Sequence, residues 1–404
     1  MPRDRTLLAV VVARFVSLTG TNMTTVALPW FVLATTGSTV KMGLVLACGT
    51  LPAFVLGIPG GSVVAALGAR RSLVLGDVLR APLIVAVPIL HAAGHLSFPA
   101  LLVLVTAIGV FSVPYAAAAS SLLPEIVGED EQEVARAQAS LQVAIQVTGI
   151  VGPVAAGVLI PVLGAPQLLY LDGASYALSA FIVVAFVHGG RAVARAARRR
   201  GVFAGVRYVF ADSLLASIVT VGLIAHVGLA ALFASLPALA FRDFHDARAA
   251  GVLFTADAVG SVLGGLLAMR LARRVKPLLL GIVGFAAMSA PLWLLTIGTP
   301  LPLAVVVLFL FGIGAPLGVS PITAIITTRA PAEIRPQVVA AFLSITSAGI
   351  PLGAVLTGYA IERTGFRTTY AAVAAAMTFA TLLLVWCVRR VSAVPAVAPA
   401  TSAS

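Results

Sequence analysis

Twelve apolar stretches of about 20 residues follow one another along the 404-residue chain, and no other feature constrains its fold as strongly. About 20 apolar residues in a helix cross a hydrocarbon core of roughly 30 Å. Lipid offers no partner for a backbone N–H or C=O, so repeated runs of this kind fold as helices. The pattern predicts helices over 7–34, 40–64, 72–94, 98–121, 138–163 and 167–188, then over 213–240, 248–269, 277–298, 301–326, 338–360 and 369–388. Charged residues make up only 10% of the chain, against about 25% in soluble domains. The expected class is an all-α, multi-pass membrane protein whose surroundings are the lipid bilayer.

The stretch Arg191–Arg207 interrupts this pattern near the middle of the chain and carries six arginines: Arg191, Arg195, Arg198, Arg199, Arg200 and Arg207. Basic loops stay on the cytoplasmic side. With an even number of helices and the N-terminus inside, nineteen of the 26 Lys and Arg residues fall on cytoplasmic segments. Lys41, Arg242, Arg248, Arg363 and Arg367 fall on outer loops, and Arg14 and Arg80 lie within helices. Both termini are therefore expected in the cytoplasm, with the chain in the plasma membrane. The net charge of +12 is explained by topology and does not call for nucleic acid. Arg in place of Lys, with abundant Ala, fits a bacterial protein from a GC-rich genome. The N-terminal segment begins like a signal peptide, but Arg14 breaks its apolar run, and an uncleaved first helix is expected.

An internal repeat divides the chain. "GSVVAALGARRSL" from Gly61 is matched by "GLLAMRLARRVKPL" from Gly265, "ALPW" at Ala27–Trp30 by "SLPA" at Ser235–Ala238, and "GIVGP" at Gly149–Pro153 by "GIPLG" at Gly349–Gly353. The pairs keep their order and lie about 200 residues apart. Two pseudo-symmetric six-helix bundles are expected: residues 1–190, a basic cytoplasmic linker 191–212, residues 213–390, and a disordered cytoplasmic tail 391–404. Parallel halves are a known transporter plan, with the substrate site between them near the bilayer midplane.

The sequence resembles the major facilitator superfamily, and within it the twelve-helix efflux branch that includes macrolide exporters. The segments that carry the resemblance are "GGSVVAALGARR" after the second helix and "LLPEIVGEDEQEVARAQA" between the fourth and fifth. "GIVGPVAAGVL" in the fifth helix and "APAEIRPQVVAAFLSITSAGIPLGAVLTGYAIERTG" leading into the eleventh complete the set. The resemblance implies the major facilitator fold working by alternating access. It implies that the turn with Gly61, Gly68, Arg70 and Arg71, and its copy with Arg270, Arg273 and Arg274, control the conformational change. The aspartates that latch the two halves in that family are replaced here by Ala65 and Met269. The stripe Gly149, Gly152, Pro153 and Gly157 in the fifth helix corresponds to the antiporter signature of the resembled family. If helices 1, 4, 7 and 10 line the cavity as they do there, Asn22, Met23, Thr25, Phe111, Tyr115, Phe233, Phe311 and Ser320 are substrate-cavity candidates, with His226 beside them. Such a lining suits an amphipathic solute better than a sugar or a phosphate. The acid that follows the first-helix glycine in related exporters is Thr21 here.

Carboxylates at bilayer depth cost a few kcal/mol to keep ionised, so they are paired, protonated or functional. Asp77 and Arg80, three residues apart, suit a local ion pair. Asp172 shares its helix face with Ser175, Tyr176 and Ser179, which suits a hydrogen-bonded cluster or a proton site. Asp257, followed on its face by Ser261, Gly264 and Ala268, is the first candidate for proton coupling, with Asp172, His226 and Arg14 behind it. Arg14 has no acid in its own helix, and it either neutralises a carboxylate across the cavity or snorkels to the surface. Glu125–Arg136 reads as a solvated connector. Cys48 and Cys387 lie in apolar runs and form neither a disulfide framework nor a metal site.

No phosphate-binding Gly-x-x-x-x-Gly-Lys-Ser/Thr segment is present, and no enzyme constellation or cofactor site is visible. The expected function is proton-driven export of a hydrophobic or amphipathic small molecule by a monomer. The alternatives are a gradient-independent facilitator and a non-transporting membrane sensor or partner-binding protein.

Overall fold

The computed structural model describes residues 3–128, 130–187, 204–272, 274–331 and 334–393. Most of the basic stretch, Arg273 and the residues after Ala393 lie outside these ranges. The described chain is helical throughout. In the first half run α1 (Arg3–Thr36), α2 (Thr39–Leu67), α3 (Ala69–Ala92), α4 (Phe98–Ser121), a short α5 (Leu123–Val127), α6 (Glu131–Leu163) and α7 (Ala165–Phe186). In the second run a short α8 (Ala204–Ala211), α9 (Ser213–Leu239), α10 (Ala247–Leu271), α11 (Pro277–Ser289), α12 (Leu301–Arg329), α13 (Arg335–Ser347) and α14 (Gly349–Ala393). Among the described residues, eleven helical segments are long and apolar enough to cross a membrane. The last of them, Gln337–Arg389, takes in α13 and α14, and α14 is itself two helices that meet at Gly365, where φ is 79° and ψ is 177°. Divided at Gly365, this segment brings the count to the twelve expected helices.

The differences from expectation have local causes. Helix α6 starts at Glu131 rather than at 138, because Asp130 accepts hydrogen bonds from the Gln132 and Glu133 N–H groups (both 3.0 Å) and caps it. The acidic segment is thus partly the first turns of a helix. The ninth apolar run is α-helical only to Ser289 and continues as a 3-10 segment, Pro291–Thr296, since Pro291 has no N–H to donate. Within the expected linker, residues 204–211 form α8, whose Tyr208 hydroxyl donates to Arg329 O (3.2 Å). Helix α14 continues to Ala393, past the expected start of the tail.

Asp212 fastens the start of the second half. It caps α9 by accepting from Leu214 N (2.9 Å) and Leu215 N (3.2 Å), and Arg329 Nε donates to its other oxygen at 2.6 Å. Burial works against its charge, but Arg329 and the two backbone N–H groups outweigh burial and hold the carboxyl below the usual range. The folded state therefore favours the ionised form. That contribution is present above the ordinary carboxylate range and is lost as pH falls through the folded value. Asp212→Ala is expected to cost about 0.5–2 kcal/mol at neutral pH. Thermal unfolding in detergent at about pH 7 and about pH 3 should show the difference from wild type shrinking in acid.

Inside the first half, α1 packs on α6 and α7, α3 on α4 and α7, and α2 on α4. Inside the second, α9 packs on α14, and α12 on α10 and α11. Between the halves, α2 packs against α14 and α6 against α10. One apolar core lies in the second half (Leu215, Ile218, Phe285, Phe311, Met377), and another in the first (Val10, Leu73, Leu122, Leu141). A third joins the halves at the end that holds the α1–α2 turn, with Phe31, Val45, Leu168, Ala250 and Ile361 among its members. Helix contacts in the second half include the neutral hydroxyl pairs Ser235–Tyr370 (3.1 Å) and Thr381–Ser289 (3.4 Å).

Candidate functional site

A cavity of about 390 Å³ lies between the halves. Asn22 and Thr25 of α1, Leu46 and Thr50 of α2, and Gly149 and Pro153 of α6 line it from the first half. Leu229, Ala230, Phe233, Ala234 and Pro237 of α9, Phe254 of α10, and Ile350 and Ala354 of α14 line it from the second. Ala47, Ala234 and Ala354 pack together beside it. The Phe233 and Phe254 rings stack with centroids 5.7 Å apart and 15° between their planes. Asn22 Nδ2 donates to Thr148 Oγ1 (3.1 Å), which ties α1 to α6 at the cavity wall. The polar groups here are one amide and two hydroxyls, and no lining side chain is ionisable. A larger groove between α6, α10 and α12, about 630 Å³, is bordered by exposed valines such as Val158 and Val252, as a lipid-facing surface would be.

Of the residues expected to face the cavity, Asn22, Thr25 and Phe233 do. Tyr115, Phe311 and Met23 are buried in helix packing instead. Phe311 supports the site indirectly, edge-on to Phe233 with centroids 6.4 Å apart. Phe111 is half-buried on α4 and absent from the lining, and its carbonyl lies against Gly76. Ser320 borders a separate crevice with Gly265, Ala268 and Met269. Helices α2, α6, α10 and α14 take the places expected of α4 and α12. His226 stands on the α9 face that continues to Ala230 and Phe233, and its Nδ1–H donates to Gly222 O (2.8 Å).

The stripe on α6 separates into three environments. Gly149 and Pro153 border the cavity. Gly152 lies against the backbone of α1 at Asn22 and Met23, and Gly157 against α10 at Gly251. A Cβ on Gly152 would lie 2.5 Å from Asn22 Cβ and 2.9 Å from Met23 N, whereas one on Gly149 meets nothing within 4 Å. Gly152→Ala is expected to lower stability by about 1–3 kcal/mol. Gly149→Ala should be neutral or stabilising by up to about 1 kcal/mol. Unfolding midpoints of the two purified variants in detergent check the contrast.

Four ionisable residues gather in the first half. Asp77 and Arg80 form the expected ion pair, wholly buried on α3. Ser17 Oγ of α1 donates to Asp77 (3.2 Å), and Arg80 Nε donates to Gly76 O (3.1 Å). The Arg80 guanidinium carbon lies 4.1 Å from the centre of the Tyr115 ring and 4.4 Å from that of Tyr176. Arg14 lies over the same Tyr115 ring at 4.8 Å. Among the described residues it forms no ion pair, and the aromatic face is what its guanidinium meets. Asp172 of α7 is buried and accepts from Thr24 Oγ1 (2.6 Å), while Thr21 Oγ1 and Tyr176 Oη lie 3.0 Å apart. Spacing identified the Asp77–Arg80 pair. Its extension through Tyr115, Tyr176 and Asp172 joins residues from three helices, and spacing along the chain does not reveal that meeting.

Asp257 stands apart from all of these. It lies three residues beyond Phe254 on α10, half-buried, and makes no hydrogen bond or ion pair with the described residues. Its carbonyl abuts α12, where a Cβ on Gly312 would come within 2.2 Å of it. In the turn between α2 and α3, Gly68 adopts φ 84° and ψ 149° and ends one helix while starting the next; Gly61 lies two turns earlier in α2. Arg70 Nη2 donates to Val184 O (3.0 Å), whereas Arg71, Arg270 and Arg274 are exposed.

Among the described residues, twelve apolar helices in two bundles around a neutral cavity have the plan of a polytopic membrane transporter. The sequence profile of the transmembrane secretion effector family matches residues 3–402, and the chain belongs to that family, within the major facilitator superfamily. The multidrug efflux pump Tap of Mycolicibacterium fortuitum is 28% identical over 383 residues, covering 92% of this chain and 93% of that protein. The pump of the same name from Mycobacterium tuberculosis (strain H37Rv) is 25% identical over 380 residues, covering 90% and 88%. Among solved structures, a mutant of the nucleoside transporter NupG superposes with a TM-score of 0.79 at 14% identity, covering 94% of this chain and 99% of that one. A bacterial homologue of the lysosomal transporter Spinster, inward-facing and unoccupied, gives 0.78 at 15% identity, covering 96% and 97%.

Proposed function

We propose that the protein exports hydrophobic or amphipathic small molecules in exchange for protons by alternating access. The observation that carries this reading is the cavity: aromatic and aliphatic walls, a stacked phenylalanine pair, and polar groups limited to an amide and hydroxyls. Such walls select for apolar bulk and a few neutral hydrogen bonds, and they offer no charge to hold a phosphate or a carboxylate. Similarity to multidrug efflux pumps supports the same substrate class. Asp257 supports the proton, as a carboxylate on the helix that supplies Phe254, with no partner among the described residues to keep it ionised. The cytoplasmic position of both termini, a boundary between halves at the basic stretch, and action as a monomer belong to this proposal.

Gradient-independent facilitation is the second reading. It is favoured by Ala65, Met269 and Thr21, which stand where the resembled exporters carry acids. Purified protein in liposomes separates the two. With an imposed pH gradient and an interior pH dye, macrolide, tetracycline and dye-like compounds are supplied one at a time. Solute-triggered proton movement supports exchange. Solute flux that ignores the gradient supports facilitation and removes the proton from the mechanism.

A further inference from the structure

The turn that starts α2 belongs to one half of the protein and Glu362 to the other, yet Glu362 completes the start of α2. The first N–H groups of a helix have no acceptor within it, and its N-terminus favours a negative charge. Here the Val40 N–H donates to Glu362 Oε2 at 3.1 Å. The Ser38 hydroxyl donates to the same oxygen at 3.0 Å. The Thr39 hydroxyl lies 3.2 Å from that oxygen and 2.9 Å from Gly358 O, and shares its proton between them. From the turn Ala240–Phe244 that follows α9, Arg242 Nη2 donates to Gly37 O (3.1 Å), and its charge also acts on Glu362. The reach is possible because α2 and α14 touch backbone to backbone. A Cβ on Gly43 would lie 2.5 Å from Ala354 O, and one on Gly358 would lie 2.4 Å from Thr39 O.

Opening the cavity at this end requires α2 to part from α14. That movement breaks a set of charge-assisted hydrogen bonds, which are stronger than neutral ones. We infer that Glu362 is the latch that holds the Gly37–Ser38 end of the cavity shut and sets how often the cavity opens there. The inference rests on the alternating-access part of the proposed function and is independent of proton coupling.

The test reads the access of a cavity thiol from each face of the membrane. Thr50→Cys is placed in a Cys48→Ser, Cys387→Ser background, and a membrane-impermeant maleimide is applied to intact cells and, separately, to inside-out vesicles. Glu362→Gln keeps the side-chain shape and removes the charge. It is expected to speed labelling from the Gly37–Ser38 face roughly three- to tenfold and to slow labelling from the other face. Ser38→Ala with Thr39→Val, which removes two donors from the partner side, should shift labelling in the same direction, with no further gain when combined with Glu362→Gln. Labelling equal to background in both variants overturns the latch, as does faster labelling from both faces, which signals general loosening. A thiol that reacts from only one face in every protein, even during solute turnover, overturns alternating access and the latch with it.

Discussion

Vesicles carrying Asp257→Asn protein are expected to hold no solute gradient when a pH gradient is imposed. Wild-type vesicles are expected to accumulate a neutral solute about tenfold per pH unit for a one-proton exchange, since one unit is worth about 1.4 kcal/mol. Asparagine keeps the size and polarity of the side chain and removes only the exchangeable proton. Binding of solute by Phe233, Phe254 and Asn22 should therefore survive, and downhill exchange should continue. The prediction depends on isolation: Asp172 is held by Thr24 and Asp77 by Arg80 and Ser17, whereas Asp257 has no hydrogen-bonding partner among the described residues. Accumulation by the variant equal to wild type would remove Asp257 from the coupling step. Asp172→Asn would then be the variant to measure.

A second large effect is expected at Arg80. Removing one member of a buried ion pair leaves the other uncompensated in low dielectric, at a cost of about 3–5 kcal/mol. Arg80→Met keeps most of the side-chain bulk between the Tyr115 and Tyr176 rings and deletes the charge beside Asp77. Chemical unfolding in mixed micelles should show the full loss in Arg80→Met. A substantial part should return in the Arg80→Met, Asp77→Asn double variant, because the stranded carboxylate is then gone. Strict additivity of the two substitutions would mean that the pair is not energetically coupled.

The elements were legible in the sequence, because lipid leaves a chain so few options. Run length and breaks at Gly37, Gly68, Gly164 and Pro277 locate most helices within a few residues, and the caps at Asp130 and Asp212 account for the starts of α6 and α9. The faces of those helices were not legible. A helix such as α4 or α12 is apolar all round, so composition gives no sign of whether Phe111 or Phe311 meets solute, lipid or a neighbouring helix. Asn22, Thr25 and Phe233 are placed by the resemblance, which assigns the first and seventh helices to the cavity. Leu46, Leu229 and Ile350 could not be placed, since they look like every other aliphatic side chain. Glu362 escaped notice for the opposite reason, as one acid in a polar turn, where only the meeting of α2 with α14 gives it a partner.

The internal repeat duplicated helices without duplicating chemistry. The first half is bolted by ions, with Asp77, Arg80 and Asp172 set among tyrosines. The second has buried, uncharged contacts such as Ser235–Tyr370 and Thr381–Ser289. Apart from the partly exposed Asp212–Arg329 pair, a slip that breaks these second-half contacts parts only neutral groups, whereas one that parts Asp77 from Arg80 leaves buried charges uncompensated. The half without a buried ion pair among the described residues is also the one that carries both ring faces of the cavity, so the solute meets a wall held by neutral contacts.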